Sequence, residues 1–92
     1  MKKTGFLYTV GVHCDFNDYV LAHPSVSIAT ANIHKAALMS AAYVDANGGE
    51  AITEEELRAM QLYEFEDLMK KVAAAEEASK KRTVETVEKK QK

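Results

Sequence analysis

Tryptophan is absent from this 92-residue chain, and cysteine and proline occur once each. A single thiol, Cys14, excludes an internal disulfide framework and suits a reducing compartment. Only 4 glycines are present, and they form neither a phosphate-cradling loop nor a G-x-S-x-G nucleophile elbow. Neither sign of charge dominates: the formal net charge is -2 and the pI is near 5.9. The chain as a whole is therefore not drawn to nucleic acid or to an anionic membrane. No apolar run approaches the ~20 residues that span a bilayer. The opening Met1–Val10 imitates a secretory leader, but His13, Asp15, Asn17 and Asp18 interrupt it too early. These absences point to a cytoplasmic protein with one small domain over 1–80 and a charged, flexible tail over 81–92. So small a core is marginal by itself, and self-association would help it.

The strongest local signal is the stretch from Asn47 to Leu57. Gly48 and Gly49 offer the left-handed backbone that ends a helix. Thr53 reads as the N-cap of the next helix, with Glu56 completing a capping box. Ile52 and Leu57 occupy hydrophobic-staple positions. Glu54, Glu55 and Glu56 suit the positive end of the helix dipole.

Upstream, Phe6, Tyr8, Val10, Val12 and Cys14 alternate with more polar neighbours. That period of two predicts a strand with one buried face. Asp15–Asp18 carries turn chemistry, and Tyr19–Ala22 suggests a return strand ending near Pro24. The expected element is a β-hairpin with an open edge. Ser25 or Ser27 then starts a helix running to about Asn47. Its apolar residues surround much of its circumference, as in a helix held between two layers. The side carrying Ala31, Leu38 and Ala42 has no evident partner within the chain and is the candidate self-association interface. A second helix from Thr53 shows a stripe of Leu57, Gln61, Phe65, Leu68, Met69 and Val72, with Leu62 at its margin. Residues 76–92 are charge-rich, with Val84 and Val87 as their sizeable apolar members.

One motif resembles the calcium loop of EF-hands. In Asp45–Glu56, Asp45, Asn47, Thr53 and Glu56 fall at side-chain ligand positions one, three, nine and twelve, and Ala51 at the backbone-carbonyl position. Gly49 and Glu50 depart from the pattern at positions five and six, where it wants a side-chain oxygen and a glycine. A helix stop followed by a capping box accounts for most of the same residues. His13, Cys14, His23 and His34 lack the spacing of a zinc site. Cys14 beside His13 and Asp15 suggests a cysteine nucleophile, although neighbours on a strand face opposite ways. The basic clusters at 80–82 and 89–90 are interleaved with glutamates, which argues against nucleic acid as the partner.

The expected fold is α+β: an N-terminal β-hairpin packed on an αα-hairpin, with a charged helical or frayed tail. The expected function is a non-enzymatic protein-interaction module of adaptor, assembly or inhibitor type. It would self-associate as a homodimer or higher oligomer and bind another macromolecule, with no cofactor. The alternatives are calcium binding at 45–56 and a cysteine-dependent enzyme centred on Cys14.

Overall fold

The computed structural model describes residues 5–91, with side chains described over 5–80. It contains helices α1 (Val10–Ala22), α2 (Ile28–Asn47), α3 (Glu54–Arg58) and α4 (Leu62–Gln91). No strand occurs among the described residues. The fold is therefore all-α, and the expected α+β class and β-hairpin are both overturned.

The alternation that suggested a strand holds only over the extended arm 5–9. There Phe6 and Tyr8 are half-buried against the core. At Thr9 the period changes. The Thr9 side chain accepts the Val12 N–H at 3.2 Å, capping α1. Along that helix Val12, Phe16 and Tyr19 fall on one covered face, whereas Val10 is 80% exposed and Cys14 is exposed. β-Propensity mainly reports how a residue fits a half-buried surface, so tertiary packing can override it. A helix also satisfies its own backbone, where a lone hairpin would leave unpaired edges. Asp15, Asn17 and Asp18, which suggested a turn, lie on the exposed side of α1. The chain turns later, at Pro24–Ser25, where the Val26 N–H donates to the His23 carbonyl at 3.0 Å.

Helix α2 matches its expected bounds. Ser27 caps it by accepting the Thr30 N–H at 3.1 Å, and Gly48 ends it at φ 85°. The other three helices pack around it. Helix α1 runs antiparallel to it: Tyr19 stacks on His34, and the Lys35 ammonium lies 4.9 Å from the centre of the Phe16 ring. The 48–53 return crosses back with the Ile52 N–H donating to the Ser40 hydroxyl at 2.8 Å. That bond satisfies Ser40, the only polar residue among the described ones that is fully buried. Thr53 forms both halves of the predicted capping box with Glu56.

The single helix expected from Thr53 is two helices. Helix α3 stops at Arg58, and a new start follows in which the Gln61 N–H donates to Glu64 at 3.1 Å. Gln61-x-x-Glu64 is the readable half of a second capping box. The break frees α4 to run parallel to α2, and the α4 backbone remains helical through Gln91. The expected roles of Val84 and Val87 fall outside the described side chains. The core is Val12, Ala36, Met39, Ile52, Leu57 and Val72, with Met39 and Ala36 fully enclosed. No helix among the described residues is long and apolar enough to cross a membrane.

Candidate functional site

The seam between α2 and α4 is filled at one end and open at the other. At the filled end the N-terminal arm lies across it. The Leu7 N–H donates to the Met39 carbonyl at 3.1 Å, and the Ser79 hydroxyl donates to the Tyr8 carbonyl at 3.1 Å. Gly5 rests on the Tyr43 ring so closely that an added Cβ would sit 2.5 Å from it.

At the open end, where both helices begin, there is a groove of about 570 Å³. Ile28 and Ala29 line it from α2, and Leu62, Tyr63, Phe65 and Met69 from α4. Ile28 is 81%, Leu62 71% and Tyr63 62% exposed. Glu66, Asp67 and Lys70 form its charged margin. The helical stripe of α4 explains the arrangement. Phe65, Leu68, Met69 and Val72 turn toward α2, while Leu62 and Tyr63 fall beyond the edge of that face.

Two polar networks tie the helices together. Glu76 sits between Lys35 at 3.2 Å and Lys80 at 3.3 Å. Burial alone would push its carboxyl up. The hydrogen bonds and charges of Lys35 and Lys80 outweigh that and hold it below the usual carboxylate range. Tyr8 is pushed above its ordinary value, first by burial and then by the charge of Glu76. Its phenol meets His13 Nδ1 at 2.7 Å, and the Asn17 amide meets His13 Nε2 at 3.2 Å. With the amide donating to Nε2, Nδ1 carries the proton and donates to the Tyr8 oxygen. Tyr8, His13, Ser79 and Lys80 border a smaller cleft of about 380 Å³.

In the second network His34 Nδ1 donates to Glu54 Oε2 at 2.8 Å, and Tyr19 stacks on the imidazole at 3.7 Å. A carboxylate beside an imidazole can orient a general base. Here the three groups come from α1, α2 and α3 and clamp those helices together. Sequence patterning missed this cluster, because its members are 20 residues apart between His34 and Glu54.

The residues singled out from sequence do not converge. Cys14 is exposed on α1 and joins neither network. Both ring nitrogens of His13 are engaged by Tyr8 and Asn17. In the stretch resembling a calcium loop, Asp45 and Asn47 belong to the last turn of α2. The Asn47 amide donates to the Tyr43 carbonyl, and Glu56 is held in the capping box. Among the described residues no three His, Cys, Asp or Glu side chains are grouped to hold a metal ion. Ala31 is half-buried, and Leu38 and Ala42 pack against the core. Beside α1, Leu38 and Ala42 line a small hollow with Asp15 and Asp45.

No protein-family model matches the chain, and no curated protein or solved structure does.

Proposed function

We propose that this chain is a non-enzymatic protein-interaction module that self-associates and engages another macromolecule through the open end of the α2–α4 seam. The observation that supports it is the convergence of Ile28, Leu62 and Tyr63, all largely exposed, on one groove. Single exposed apolar residues are ordinary, whereas a contiguous patch rimmed by charges marks an interaction surface. The cytoplasm is the compartment this reading implies, in keeping with one unpaired cysteine.

Sedimentation velocity tests the reading on the full chain. The parent is expected to sediment as a dimer or larger species. Leu62→Glu and Tyr63→Glu are each expected to give a monomer with unchanged helicity, because both side chains are already exposed. A parent that stays monomeric at high micromolar concentration ends the self-association claim.

A further inference from the structure

We infer that the α4 face beside the groove, centred on Ala73, pairs with the same face of a second copy, the two helices lying antiparallel across a two-fold axis. This rests on the self-association reading above and adds the partner element, its direction and its register. The argument comes from the exposed face of α4 next to the groove. Glu66, Lys70, Ala73 and Glu77 succeed one another there at helical spacing, and all are exposed. Leu62 begins the same strip and Lys80 continues it. The small Ala73 at the middle permits close approach of two helices, whose axes pack at about 8–10 Å.

The order of charges selects the direction. Along the strip the signs run negative at Glu66, positive at Lys70, negative at Glu77 and positive at Lys80. Reversing that order about Ala73 places Glu66 of one copy opposite Lys80 of the other, and Lys70 opposite Glu77. The two-fold axis repeats both pairs, so each dimer gains four contacts of opposite sign. A parallel pairing in register would set each charge against itself, which is unfavourable. An isologous pairing also closes, so it ends at two copies rather than growing into a filament.

The local partners of these charges do not prevent the exchange. Lys70 lies 3.7 Å from Asp67 and its side chain is 81% exposed. Lys80 lies 3.3 Å from Glu76 and its side chain is 60% exposed. Glu76 keeps Lys35 if Lys80 turns outward. The antiparallel arrangement brings Glu66 and Lys70, at the groove margin, against Lys80 and Glu77 of the second copy. The order of the charges supplies the direction.

A reciprocal charge exchange tests the register. The dimer constant of the 92-residue chain is measured by sedimentation for the parent, Lys70→Glu, Glu77→Lys and the double variant. Each single change sets like charges opposite each other twice and is expected to weaken the dimer about tenfold. The double change restores opposite signs and is expected to return the constant to within about threefold of the parent. Added salt should weaken the parent dimer. If neither single change matters, or the double fails to recover, this register is wrong. In that event, loss of the dimer in Leu62→Glu would leave the broader reading standing. A monomeric parent removes both. All the altered residues are exposed, and circular dichroism verifies that each variant remains folded.

Discussion

Where α2 and α4 pass the N-terminal arm, the seam between them holds Phe6 and Tyr8 and is bridged by the Lys35–Glu76 pair. Where the same helices begin, the seam leaves Ile28, Leu62 and Tyr63 exposed around the groove. Both ends carry apolar residues. The difference lies in a third segment: the arm reaches one end, and among the described residues none reaches the other. Hydrophobicity makes a surface able to be buried, but topology decides whether this chain buries it. The filled end thus serves stability, and the open end is available for association.

The sharpest way to break that contrast is a pair of truncations. Met39→Ala, at a fully enclosed position, should cost about 2–5 kcal/mol in chemical denaturation. Leu62→Ala should stay within about 0.5 kcal/mol under conditions where the protein is monomeric. Equal costs would mean that Leu62 is as much a part of the core as Met39, and the open end would not exist as described.

A smaller effect is expected at the turn that brings α3 back over α2. Thr53→Ala removes the acceptor of the Glu56 N–H, 3.1 Å away. It should cost about 1 kcal/mol, the usual value for a lost N-cap. An unchanged melting temperature would show that the return is held by Ile52 and Ser40 without help from the cap.

The smallest effect should appear only in acid. Glu76 binds its proton less tightly when folded than its ordinary value of 4.5, so the folded state favours its charged form. Its contribution is present above that value and is lost as the pH falls through the lower folded value. Melting temperature should therefore drop on acidification below the usual carboxylate range, and Glu76→Gln should make that drop shallower. Identical acid profiles would remove Glu76 from the forces that close the filled end.

Which parts of this fold could be read from the chain follows from how far each determining interaction reaches. Ser27, Gly48, Thr53 and Glu56 act on groups within a few residues, and all four mark helix ends as expected. Gln61 and Glu64 carried the same kind of local signal, although the apolar stripe running through them suggested one continuous helix. The hairpin expectation failed because Phe6–Tyr19 contains two overlapping patterns. Phe6 and Tyr8 follow the period of an extended arm; Val12, Phe16 and Tyr19 follow that of a helix. Only the switch at Thr9 separates them.

By itself, then, the sequence determined the two ends of α2, the start of α3, the apolar stripe of α4 and the lack of a disulfide framework. Those features depend on capping chemistry, periodicity and composition, which act within a few residues. The tertiary structure decided that residues 10–22 form a helix and that His34 meets Glu54 and Tyr19. It also decided which end of the α2–α4 seam is covered. Each of these outcomes requires segments distant in the chain to compete for the same surface, and that competition is settled by packing.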